Sequence, residues 1–146
     1  MYKSLLVAVD GSKQGKKALI LACHLARQDD AEVHLVHVPE ALPHEATLIW
    51  GIGAVAVEDS RKELETTGQK ILARAELEAR ELGVSQVHTH IAQGEPARSI
   101  IHQAERLGVD VIVMGCRGLG NLAGLMMGSV SHKVSHNAKC GVITIR

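Results

Sequence analysis

Phenylalanine is missing from this chain of 146 residues, and tyrosine and tryptophan occur once each. Proteins that grip single-stranded nucleic acid stack bases on aromatic rings and follow the backbone with a basic groove. The chain has neither resource, because Lys plus Arg and Asp plus Glu both number 16 and the formal net charge is zero. Cysteine is also scarce: Cys23, Cys116 and Cys140 are odd in number and form no close pair. That argues against a disulfide framework or a zinc site and suits a reducing cytosol. Long apolar runs are absent too. The longest, Ala46 to Val57, falls short of the roughly 20 residues of a membrane-spanning helix. The opening MYKSLLVAVDGSK has an apolar run of only six residues, broken at once by a charge and a turn, and does not read as a secretion signal. No internal repeat or low-complexity tail is evident. One cytoplasmic domain over residues 1–146 is expected, long enough to bury a full core.

What the sequence does hold is alternation. SLLVAV (4–9) is a short apolar run closed by the turn signal DGS. Helical spacing follows from Lys13, with Ala18, Leu21, Ala22 and Leu25 on one face and Ser12 as the cap. EVHLVHV (32–38) reads as a strand stopped by Pro39, and Glu58 to Leu82 as a long helix stopped by Gly83. QVHTHIA (86–92) is a third strand. Pro96 suits the first turn of the next helix, whose apolar face is Ala97, Ile100, Ile101, Ala104 and Leu107. DVIVMG (110–115) is a continuous apolar run of the kind buried on both faces. A short helix over about 128–138 and the strand GVITI (141–145) complete the chain. Strand and helix in turn predict an α/β fold, Rossmann-like, with an open five-stranded parallel sheet and helices on both faces.

One stretch resists both patterns. MGCRGLGNLAGLMMGSVSHKV, residues 114–134, carries five glycines, which weaken regular structure throughout. It starts at the carboxyl end of the fourth strand and ends at a helix N-terminus. In open α/β sheets that edge is where ligands bind. Glycines let a backbone wrap an anion, and a helix N-terminus offers unpaired N–H groups and a positive dipole end. The stretch therefore reads as a phosphate cradle. It is neither a P-loop, since GxxxxGK[ST] is absent, nor a dinucleotide GxGxxG loop, since Gly118 and Gly120 are followed by Gly124, one residue late.

Gly115-x2-Gly118-x9-Gly128-Ser129 resembles the nucleotide-binding signature of the universal stress protein family. VAVDGS after the first strand, HVPE after the second, GEPARSII opening the third helix and DVIVMG before the loop carry the resemblance over the whole chain. It implies strand order 3-2-1-4-5, ATP or a related adenine nucleotide as ligand, with or without Mg2+, and a homodimer formed through the last strand, 141–145. Family members that do not bind ATP generally lack this glycine signature, so the chain resembles the binding kind. In the family reading the Asp10 carboxylate accepts hydrogen bonds from the ribose side, and the Val38 backbone meets the adenine edge. Ala8, Val9 and Met114 are then apolar lining for the base. Gly115, Gly118, Gly128 and Ser129 are the phosphate contacts, and Val130 adds a backbone N–H. Each has a plainer reading beside it: an Asx turn for Asp10, a strand residue for Val38, a tight turn for the glycines. Arg117 is the one cation between Gly115 and Gly128, and either approaches the phosphates or is a solvated loop charge. Two departures stand out. The intervening LGNLAGLMM holds no lysine, and Cys140-Gly141 replaces a common Cys-Pro.

Other features carry less. His88 and His90 share a strand face, and His132 and His136 a helix face, but neither pair has a third ligand nearby in sequence, so no metal site is expected. Cys116 reads as a buried, inert thiol rather than a redox sensor. Residues 40–57 lack a period and leave three readings open: a mobile flap, a partner surface, or the unwound start of the second helix against a dimer mate. The leading functional expectation is an ATP-binding stress-response or signalling module that acts through nucleotide-dependent partner contacts and is not an enzyme. The alternatives are a slow ATPase or nucleotidyl transferase on the same fold, and a nucleotide-free dimeric interaction protein. The basic, catalytically placed loop that the enzyme would need is missing from 119–127.

Overall fold

Short runs rich in apolar or β-branched residues and bounded by turn residues become strands: β1 (Ser4–Ala8), β2 (Glu32–His37), β3 (Val87–Ile91), β4 (Val111–Gly115) and β5 (Gly141–Ile145). The computed structural model describes residues 1–39, 54–116 and 128–146, without the side chains of 54–60. All four strand pairings are parallel, and the order is β3-β2-β1-β4-β5, as the resemblance implies. Parallel neighbours need crossovers, and helices supply them: α1 (Lys13–Asp29), α2 (Ala54–Glu81), α3 (Pro96–Leu107) and α4 (Ser129–Asn137).

The sheet is sandwiched. Leu5, Val7, Val33, Leu35, Val111 and Val113 face α1 and α2 in one apolar cluster. Leu6, Val36, Ile112 and Met114 face α3 and α4 in the other. Alternation along β1 and β4 thus serves two cores at once, which is why these runs show no polar face. Lacking aromatic bulk, both clusters are filled mainly by Leu, Val, Ile and Ala, and the alanines of α1 and α2 let the helices lie close on the sheet.

Helix ends follow side-chain chemistry. Ser12 Oγ accepts the Gly15 N–H at 3.0 Å, as expected of a cap. Glu95, which the sequence does not single out, caps α3 by accepting the N–H groups of Ala97 (3.2 Å) and Arg98 (2.9 Å), while Pro96 occupies the first position, where no donor is needed. Asp110, expected inside the fourth strand, lies just before it. Its carboxylate accepts the Lys3 and Ser4 N–H groups at 2.7 and 3.0 Å, and these bonds hold it below the usual carboxylate range. The second helix begins at Ala54, earlier than the expected Glu58. Its first turn is Ala-Val-Ala-Val, whose β-branched residues hide a helix start from propensity reasoning. Of the unassigned 40–57 segment, residues 40–53 lie outside the described residues. Among the described residues, no helix is long and apolar enough to cross a membrane.

Pairing β2 with β3 assembles something the sequence does not announce. His34 stacks on His88 with ring centroids 4.9 Å apart, and its Nδ1 lies 3.0 Å from His90 Nε2. Glu32 approaches both His34 Nε2 (3.3 Å) and His88 Nε2 (3.4 Å). Burial first, then the charges of His34, Arg106 and His88, hold the His90 imidazole below its ordinary value of 6.5. The unfolded chain then takes up a proton that folded His90 resists, so this contribution to stability is intact well above pH 6.5 and is lost as pH falls toward the folded value. A urea-midpoint series from about pH 8 to about pH 5 is expected to fall with pH, and His90→Gln to flatten the fall. An unchanged slope in His90→Gln contradicts this assignment.

Candidate functional site

Every described strand runs its carboxyl end toward one edge of the sheet. The chain turns left from β1 to β2 and later right to β4, so the turns after β1 and β4 part and leave a crevice. A cavity of about 390 Å³ occupies that place, within the roughly 300–1,000 Å³ of small-molecule sites. Ala8, Val9, Asp10, Val38, Met114, Gly115, Gly128, Ser129 and Val130, chosen from the sequence, all line it. Arg117 and Gly118 lie outside the described residues.

The walls differ in character. One side is apolar, with Met114 and Ala8 from the sheet and Pro96 and Ile100 from α3. The opposite side is one face of α2, on which Leu64, Thr67 and Ile71 recur at helical spacing. Between them, at the end of β1, sits Asp10. Its Oδ1 accepts the Ser12 N–H at 2.9 Å, so the plain turn reading of DGS holds. A Cβ on Gly15 would come within 2.9 Å of the same oxygen. Gly15 is therefore what allows the carboxylate to lie against the start of α1. Asp10 is the sole charged side chain among the described lining residues.

The third side is the start of α4. Gly128 is its cap residue, at φ −73° and ψ 162°, and provides no side-chain hydrogen bond. The first-turn N–H groups of Ser129, Val130 and Ser131 are thus left without the usual side-chain cap, at the positive end of the helix dipole. Gly128 plays a different part from the one its position in the motif suggests. Its own N–H donates to the Cys116 carbonyl, so the helix N–H groups without a side-chain cap start at Ser129. Gly128 is extended, so what it offers the cavity is the absence of a side chain and not a left-handed turn.

Residues that the sequence does not place at the site include Ser12, His37, Thr67, Cys116 and Ser131, all of which line the cavity. Ser131 is buried and donates its hydroxyl to the Cys116 carbonyl at 2.6 Å, with the Gly128 carbonyl 3.1 Å away as second acceptor. The Cys116 N–H in turn donates to Ile145 of β5 at 2.7 Å. The signal for Ser131 was the second hydroxyl of GSVS, and for His37 its place immediately before Val38. Cys116 is buried with Sγ 3.6 Å from Gln14 Oε1. No group of three or more His, Cys, Asp or Glu side chains among the described residues is arranged to hold a metal ion.

The model of the Universal stress protein family matches residues 1–146. Universal stress protein YxiE of Bacillus subtilis is 41% identical over all of this chain and all of its own. Among solved structures, universal stress protein UspA from Lactobacillus plantarum superposes with TM-score 0.84 at 22% identity, covering 99% of this chain and 98% of that one. The universal stress protein from Archaeoglobus fulgidus in complex with dAMP does so with TM-score 0.68 at 25% identity, covering 99% and 98%. The chain belongs to the universal stress protein family.

The shared Cys116 carbonyl generates a prediction. Ser131→Ala removes one of the two donors from a buried carbonyl, so stability is expected to fall by about 1 kcal/mol. Hydrogen exchange at the Gly128 amide should quicken with it, because the remaining Gly128–Cys116 bond loses its brace. Unchanged stability and unchanged Gly128 exchange would contradict this pairing.

Proposed function

We propose that this universal stress protein binds an adenine nucleotide in the cavity at the carboxyl edge of its sheet, and that the bound nucleotide alters its contacts with partner proteins. The observation that carries the reading is the start of α4: a helix whose cap residue provides no side-chain hydrogen bond opens onto a largely apolar cavity of nucleoside size. The phosphate lies at the N–H groups of Ser129, Val130 and Ser131, with the Ser129 hydroxyl beside them. The base lies against Ala8 and Met114 and meets the Val38 backbone. The ribose turns toward Asp10. The dAMP complex of the Archaeoglobus fulgidus relative supports the ligand class.

ATP is the full ligand in this reading, and its phosphates extend toward the loop that holds Gly118 and Arg117. With Asp10 as the sole carboxylate among the described lining residues, Mg2+ would be held by phosphate oxygens and water more than by protein. A phosphoryl-transfer enzyme orients its nucleophile with a placed base and meets the phosphates with a cation. The described lining offers neither a lysine nor a second carboxylate, which supports a binding module over an enzyme. Two copies pair through β5, an edge strand whose Val142–Ile145 stretch is only partly buried in one copy.

Three outcomes are expected. Mass spectrometry of the purified, denatured protein should release an adenine nucleotide; no nucleotide, and no thermal shift with any added one, leaves the dimeric interaction protein as the better account. Gly128→Val should fold normally, since valine accepts the extended backbone there. Its side chain would stand where the anion lies, and losing two charge-assisted bonds of roughly 1.5–3 kcal/mol each weakens ATP binding on the order of a hundredfold or more. Calorimetric titration showing a folded Gly128→Val within a few-fold of wild type removes the phosphate from this helix start. Light scattering at micromolar concentration should give the mass of two chains, and a monomer would contradict pairing through β5.

A further inference from the structure

We infer that His37, seated on Gly68, is a positioning residue for the nucleotide site: its ring and backbone hold the carboxyl ends of β1, β2 and β3 in one arrangement. The inference rests on the nucleotide reading above and adds to it a residue that touches structure rather than phosphate.

Three contacts make the case. His37 Nδ1 lies 2.7 Å from the Val9 carbonyl oxygen, in a buried position. A carbonyl only accepts, so Nδ1 carries the proton. The Val9 carbonyl lies just past the end of β1, where the strand ladder stops, and this imidazole N–H is its partner. The His37 carbonyl, for its part, accepts the Ala92 N–H at 3.0 Å, which fixes the exit of β3. One residue thus ties together the exits of three strands directly before Val38, which lines the cavity.

The third contact is with α2. A Cβ on Gly68 would fall 2.6 Å from His37 Cδ2 and 3.1 Å from its Nε2, with Ile91 Cδ1 at 3.3 Å behind. No side chain fits there unless the ring moves. Gly68 sits in the body of a 28-residue helix, where glycine is a poor helix former. Helix stability alone favours alanine at such a position, so the glycine answers to the histidine ring. Ring, carbonyl and glycine together fix the course of the chain as it leaves β1, β2 and β3, at the edge where the base and ribose lie.

Two measurements test this. Nitrogen NMR of His37 in the full-length protein should place the proton on Nδ1 at neutral pH, and a proton on Nε2 overturns the inference. Calorimetric titration with dAMP then compares variants. His37→Asn keeps an N–H near the Val9 carbonyl and should bind within about threefold of wild type. His37→Leu lacks the donor, and Gly68→Ala displaces the ring; each should weaken binding by about tenfold or more while unfolding cooperatively. If His37→Leu does not fold, Gly68→Ala decides. Wild-type affinity in a folded Gly68→Ala or His37→Leu, or equal losses in His37→Asn and His37→Leu, overturns the positioning role alone. If the wild type binds ATP but not dAMP, the same comparison is made with ATP; binding of neither by the wild type defeats the nucleotide reading and this inference with it.

Discussion

A right-handed crossover is the only common way to join two parallel neighbours in a sheet, and β1 has a parallel neighbour on each side. From that constraint the architecture follows. Moving from β1 toward β3 places α1 and α2 on one face, and returning from β3 to β4 and β5 places α3 and α4 on the other. Where the direction reverses, the turns after β1 and β4 leave in opposite directions. Nothing in the sheet itself fills the gap, and the cavity lined by Asp10, Gly115 and Ser129 is that gap.

Holding the gap open in a defined shape falls to a few polar contacts. On the β4 side, the Cys116 carbonyl takes the Gly128 N–H and the Ser131 hydroxyl, which turns the start of α4 toward the cavity. On the β1 side, the Val9 carbonyl takes the His37 ring, and Asp10 takes the Ser12 N–H. These bonds consume backbone groups that would otherwise compete for a ligand. What they leave at the edge, among the described residues, is a helix start without a side-chain cap, an arrangement suited to an anion. Ala8, Met114, Pro96 and Ile100 give the same cavity an apolar wall.

Much of this was legible in the residues, for identifiable reasons. β1 and β4 are short continuous apolar runs, and Ser12, Gly83 and Pro96 carry strong local signals at helix ends, so the order of elements could be read directly. The strand order could not; it came from the family resemblance, because periodicity does not say which strands are neighbours. The glycine loop was recognisable, but the division of labour inside it was not. Gly128 looks like a donor in the motif, and only the folded chain reveals that its N–H is already paired with the Cys116 carbonyl. From sequence, His37 is one more residue of the EVHLVHV strand, since neither its carbonyl partner nor the glycine beneath its ring is near in sequence. The group Glu32, His34, His88 and His90 was hidden likewise, because it exists only when β2 pairs with β3.

We propose that adenine nucleotide sits across the carboxyl edge with its phosphate on α4. Titrating isotope-labelled protein with dAMP while following each amide by NMR tests it most directly. The account predicts the largest changes at Ser129, Val130 and Ser131, with further changes at Asp10, Val38 and Gly115, and little at Gly128, whose hydrogen bond is already made. Saturable binding that leaves Ser129 to Ser131 unmoved and perturbs a different edge of the sheet would contradict it.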